Sequence, residues 1–137
     1  MKSGDRVGVG LLDTSVLVAA EAGRPIRAEA LPKSAAISIV TVAELRAGVL
    51  AAPDIPSRDR RLATLERISG TATLPVDHDV AAAWAGMRAY LAASGENVSP
   101  NDLWIAATAA ARSIPVVTQD HDFYALSGVN GLTVVEV

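Results

Sequence analysis

Four acidic residues stand where a carboxylate would have work to do. Asp13 follows the apolar run Val7-Gly8-Val9-Gly10-Leu11-Leu12 and precedes Thr14 and Ser15; Glu44 and Asp102 sit near the starts of two helical patterns; Asp120 follows the apolar run ending at Thr118, with Asp122 close behind. A carboxylate that ends a buried strand costs solvation unless it is paired or metal-bound, so Asp13 carries the most weight. Carboxylates crowded together repel and raise one another's pKa unless a cation joins them. Oxygen donors without nitrogen or sulfur suit Mg2+, with Mn2+ as a substitute. Such an ion polarises a phosphoryl oxygen, lowers the pKa of a water and steadies the leaving oxygen, and the natural reaction is hydrolysis of a phosphodiester by metal-activated water.

Plainer explanations exist for the acids taken singly. Glu44 with Thr41, and Asp102 with Ser99, each match a capping box, and Asp120 could be an ordinary turn residue. Other chemistries fail on composition or spacing. The chain has no cysteine, which removes disulfides, thiolate zinc sites and cysteine nucleophiles, and its histidines, His78 and His121, are far apart and read as surface or capping residues. Gly8-Val9-Gly10 lacks the third glycine of a dinucleotide fingerprint, and there is no Walker A or GxSxG match. A haloacid dehalogenase-type phosphatase would want an aspartate where Ser15 stands. Trp84 and Trp104 read as core, and an aromatic content of only 4% argues against reading single-stranded bases by stacking.

The elements that must position these acids alternate. The first strand runs to Leu12, and Thr14 or Ser15 can cap a helix that Gly23-Arg24-Pro25 breaks. The segment 26–33 holds at most a short helix before Pro32. Residues 35–40 read as a second strand, Thr41 as the N-cap of a helix closed by Gly48 and Pro53, and Ser57 as the start of another whose Leu62, Leu65 and Ile68 share a face. A third strand over 71–76 leads to Asp77, the cap of a long helix ending at Gly95. Ser99-Pro100 starts a helix to about Arg112 that is apolar nearly all round and belongs in the interior. Strands over 114–118 and 132–137 complete the pattern. Strands alternating with helices imply a parallel sheet with right-handed crossovers and helices on both faces, which brings strand ends and helix starts to one edge. Asp13, Glu44, Asp102 and Asp120 fall there. For Asp102 this requires that one of the two successive helices before the fourth strand return the chain to that edge.

At 137 residues, half of them apolar, the chain fits a single domain spanning 1–137. Lys2, Arg6 and the apolar stretch after them loosely imitate a leader, but Asp13 interrupts it, and no apolar run approaches the roughly 20 residues of a membrane span; a cytoplasmic protein is expected. A net charge of −3 speaks mildly against a general nucleic-acid coat protein.

The residues also resemble a known family, the PIN-domain ribonucleases, in particular the VapC toxins of bacterial toxin–antitoxin pairs. Leu12-Asp13-Thr14-Ser15-Val16-Leu17, Thr41-Val42-Ala43-Glu44-Leu45-Arg46-Ala47-Gly48, Asn101-Asp102-Leu103-Trp104-Ile105-Ala106-Ala107 and Thr118-Gln119-Asp120-His121-Asp122-Phe123 look like the family's four motifs, in order and nearly end to end. The approach Ser99-Pro100-Asn101 departs from the smaller, glycine-containing one the family would suggest. The resemblance implies a PIN-like three-layer α/β/α fold with a five-stranded parallel sheet, Mg2+ or Mn2+ dependence and endonucleolytic cleavage of RNA. It makes Asp13, Glu44, Asp102 and Asp120 metal ligands, directly or through water, with Ser15 and Thr118 as supporting hydroxyls and Asp122 as a further acid whose part is open. It also implies a homodimer and inhibition by a cognate VapB-type antitoxin lying in a groove walled by the helices over 15–22 and 41–69. Arg46, Arg58, Arg60, Arg61 and Arg67 could meet RNA phosphates or antitoxin acids. The rival readings are a non-catalytic PIN-like module that binds RNA or protein, and an acid-rich α/β domain whose carboxylates only cap helices.

Overall fold

The structure, a computed structural model, describes residues 7–137; Lys2 and Arg6, at the head of the leader-like stretch, lie outside the described residues. Five short parallel strands form one sheet in the order β3-β2-β1-β4-β5: β1 Val9–Leu12, β2 Ser34–Ser38, β3 Ala72–Leu74, β4 Val116–Thr118 and β5 Val134–Glu136. Helices α1 (Thr14–Glu21), α2 (Ile39–Leu50), α3 (Ile55–Ile68), α4 (His78–Ser94) and α5 (Pro100–Ala111) connect them, with short 3-10 turns at Ala28–Ala30, His121–Leu126 and Val129–Gly131. The expected strands are all present, each shorter than the apolar run that announced it. Among the described residues no helix is long and apolar enough to cross a membrane.

β1 lies at the centre, with Leu11 facing Ala36 of β2 on one side and Val116 of β4 on the other. One face of the sheet packs Leu11 and Val116 against Val80, Met87, Ile105, Ala106 and Phe123; the other packs Val16, Val117 and Val137. Gly10 is required by this packing. A Cβ there would stand 2.8 Å from Val117 Cγ2, closer than real Cβ atoms come, and 3.2 Å from the Pro32 ring, a tight contact.

Three helix starts differ from expectation. β2 passes into α2 without a loop, so Ile39 and Val40, read as strand, are helical; Ser38, not Thr41, is the N-cap, its Oγ accepting from the Val40 amide at 3.0 Å. A short apolar run does not reveal by periodicity whether it is strand or helix. Thr41 is instead completely buried inside the helix, and the capping-box explanation of Glu44 falls with it. Likewise Asp54 is the N-cap of α3, its Oδ1 accepting from the Ser57 amide at 2.7 Å, so Ser57 lies within the first turn. α1 has Asp13 at its N-cap position, not Thr14 or Ser15, and that carboxylate makes no capping bond.

Asp77 and Gly95 do bound α4, Gly95 in the left-handed region at φ 75°. The succession of α4 and α5 resolves simply: the Arg112 guanidinium just past the end of α5 pairs with Asp77 at the start of α4, so the helices are antiparallel and the start of α5, with Asp102, lies at the opposite end. Trp84 and Trp104 stack between them at 4.9 Å and 17° and pack on the core.

Candidate active site

Asp13 is only 2% exposed. Its Oδ2 accepts from Ser15 Oγ at 2.6 Å and from Thr118 Oγ1 at 2.9 Å. Burial pushes its carboxyl above the ordinary aspartate range, against the pull of those hydroxyls. Both hydroxyls also reach the fourth motif: Ser15 Oγ accepts from the Gln119 amide at 3.0 Å and Thr118 Oγ1 from the Asp120 amide at 2.8 Å. Ser15 and Thr118 thus tie the ends of β1 and β4 into one unit around Asp13.

Glu44 reaches the site from α2. Its Oε1 accepts from Thr14 Oγ1 at 2.7 Å, and Thr14 Oγ1 lies 3.0 Å from Thr41 Oγ1. Thr14 has one proton and gives it to Glu44, so Thr41 donates to Thr14. The chain Thr41, Thr14, Glu44 escapes a reading of the sequence because its members are separated by up to 30 positions; the signal available was a pair of threonines standing in the two motifs that also hold Asp13 and Glu44.

Asp102 occupies the first turn of α5, where Ser99 Oγ accepts from its amide at 3.3 Å. Despite the favourable helix dipole, its carboxyl is pushed up to about 6, first by burial, then by the charge of Asp13, with Asp120 and Glu44 adding to it against the hydrogen bond from Ser99. The four acids come from just past the ends of β1 and β4, from the N-terminal half of α2 and from the first turn of α5, so they lie at one edge of the sheet, near enough for their charges to act on Asp102. Asp120 heads the 3-10 turn His121–Leu126, its Oδ1 accepting from the Asp122 amide at 2.9 Å; Asp122, exposed, meets the site through that amide.

Among the described residues no three carboxylate or imidazole side chains converge tightly enough to enclose an ion by themselves. The donor chemistry nonetheless fits a small hard cation. The set is all oxygen, the charges repel in its absence, and an octahedral ion that keeps several waters needs only one or two carboxylates directly.

Of the arginines singled out on α3, Arg61 donates to the Gly48 carbonyl at 2.5 Å, while Arg60 and Arg67 donate to Ser57 and Thr64 of their own helix at 3.0 and 3.1 Å.

A family model described as PIN domain matches residues 10–129. Ribonuclease VapC5 of Mycobacterium tuberculosis (strain ATCC 25618 / H37Rv) is 52% identical over 128 residues, 93% of this chain and 95% of that protein. Ribonuclease VapC4 of the same strain is 39% identical over 124 residues, 90% of this chain and 95% of that one. Among solved structures, the crystal structure of VapBC-5 from Mycobacterium tuberculosis, a member of the VapBC family of toxin–antitoxin systems, matches with a TM-score of 0.89 and 48% identity, over 95% of this chain and 99% of that one. By these likenesses and by its motifs in place around one edge of a five-stranded parallel sheet, the chain belongs to the PIN domain family and, within it, to the VapC proteins.

Proposed function

We propose that the protein is a metal-dependent endoribonuclease, a VapC-type toxin that hydrolyses RNA phosphodiester bonds and is inhibited by a cognate VapB-type antitoxin. The observation that carries this reading is the grouping of Asp13, Glu44, Asp102 and Asp120 at one edge of the sheet, where burial first and then the charges of the other three acids raise the Asp102 carboxyl to about 6. Relatives named as ribonucleases and a relative crystallised as a toxin–antitoxin pair support it. Asp13, Glu44, Asp102 and Asp120 would hold Mg2+, or Mn2+ in its place, with Asp122 at the rim. Such an ion supplies Lewis acidity to a phosphoryl oxygen and makes water more acidic.

The chain's own part is positioning. Ser15 and Thr118 hold Asp13 Oδ2, and Thr14 holds Glu44 Oε1, so neither carboxylate has to be ordered when RNA arrives. Leu50 and Ile55, 88% and 73% exposed where α2 meets α3, suit the apolar side of an antitoxin segment. The protein is taken to work as a homodimer.

The test incubates the protein with a panel of tRNA and rRNA in Mg2+ or Mn2+ and in chelator. Cleavage that needs the ion, and that falls more than about a hundredfold in a folded Asp13→Asn variant, is expected for a ligand whose mere supporting partners are worth about 10–100-fold. Full activity in that variant sinks the assignment, and wild-type protein that binds RNA without cutting it is the non-catalytic module.

A further inference from the structure

A second stacked aromatic pair lies outside the core. His121 and Tyr124 have ring centroids 6.1 Å apart at 30°. The His121 side chain is 79% exposed and Tyr124 45%. Both belong to the 3-10 turn that Asp120 heads, so the pair is carried by the same turn as one of the four acids. Glu136 of β5 holds the ring edges: its Oε1 is 3.2 Å from His121 Nε2, and its Oε2 accepts from Tyr124 OH at 3.4 Å. The Arg27 guanidinium donates to the Glu136 backbone carbonyl at 3.2 Å.

We propose that His121 and Tyr124 form a platform on which an unpaired nucleobase of the RNA stacks while its backbone crosses the acidic edge; this rests on the ribonuclease reading above. Single-stranded RNA is read by stacking splayed bases on aromatic rings, and a ring accepts any base because every base has a π-face. Rings already held at their edges lose little freedom when a base arrives, which favours binding. The low aromatic content that argues against a run of stacked bases is consistent with one such position beside the cut. If the trio with Glu136 serves only to pin the turn to β5, its removal affects folding and not RNA.

The experiment titrates short single-stranded oligoribonucleotides, each carrying one 2-aminopurine and varied in flanking bases, with Mg2+ into full-length protein bearing Asp13→Asn to keep the RNA whole. Stacking is expected to quench the 2-aminopurine. Adding His121→Ala and Tyr124→Ala weakens binding about tenfold or more and removes the quench, whereas His121→Phe with Tyr124→Phe, which keeps the rings and loses the bonds to Glu136, restores the quench and most of the binding. Absence of quenching by the parent, unchanged binding in the alanine pair, failure of the phenylalanine pair to rescue, or an alanine pair that changes only the oligomeric state in sedimentation each overturns the proposal. Cleavage of the same unlabelled RNAs by wild-type protein is scored separately. Quenching without cleavage removes the ribonuclease reading and leaves the platform; cleavage without quenching does the reverse.

Discussion

Asp77 and Asp102 begin neighbouring antiparallel helices and have opposite fates. Asp77 caps α4, accepting from the Val80 amide at 3.0 Å and pairing with Arg112, and these partners hold its carboxyl below the ordinary aspartate range. Asp102, equally well placed for the dipole of α5, is driven up to about 6 by burial and by Asp13. Residue type and a place at a helix N-terminus are shared, Asp77 as the cap of α4 and Asp102 within the first turn of α5; the neighbours decide. The first aspartate stabilises the scaffold, and the second is a buried, repelled charge that the proposed cation would offset.

That contrast can be broken by experiment. The largest expected effect is on cleavage: Asp102→Asn lowers it more than about a hundredfold, beyond the range for a mere supporting partner, while Asp77→Asn leaves turnover within about twofold because it touches no reacting group. Equal losses in the two variants would erase the distinction. Next comes the ion itself. Mn2+ at about a hundred times its dissociation constant should stabilise the wild type by about 2.7 kcal/mol, read as a higher melting temperature than in chelator; no shift would remove the cation from the proposed site.

A smaller effect follows from Asp102 alone. Its folded-state pKa is raised, so its ionisation opposes folding; the penalty is full above about 6 and vanishes below the ordinary value of 3.8. In chelator, Asp102→Asn should therefore be more stable than the wild type by about 1–2 kcal/mol above about pH 6, after discounting for partial exposure, with the gain disappearing below about pH 4. The smallest effect has the opposite sign. Asp77 has a lowered folded-state pKa, so its stabilisation is present above its ordinary value and is lost as the pH falls through the folded one. Asp77→Asn should lower the melting temperature near neutrality and converge with the wild type in acid.

The same pair shows what a sequence reveals. Asp77 and Gly95 bound α4 as expected, because caps are local chemistry written within a few residues. The parallel sheet with helices on both faces, and with it the gathering of four acids at one edge, was legible too, since alternation of strand and helix leaves few topologies; the order of the strands was not. Glu44 was obscured by Thr41, whose resemblance to an N-cap depended on a strand ending two residues later than it does; the direct passage from Ser38 into α2 has no loop to mark it. The hydroxyl chain from Thr41 through Thr14 to Glu44, and the rings of His121 and Tyr124 gripped by Glu136, join segments far apart in the chain, where spacing carries no signal.

Gly10 gives the molecule a genetic weak point away from its acids. The methyl group of an alanine there would press on Val117, the neighbour of the Thr118 hydroxyl that steadies both Asp13 and the Asp120 amide. A selection for cells that survive the protein's expression should thus return, beside losses at the carboxylates, temperature-conditional alleles at Gly10 that silence the site through the sheet beneath it.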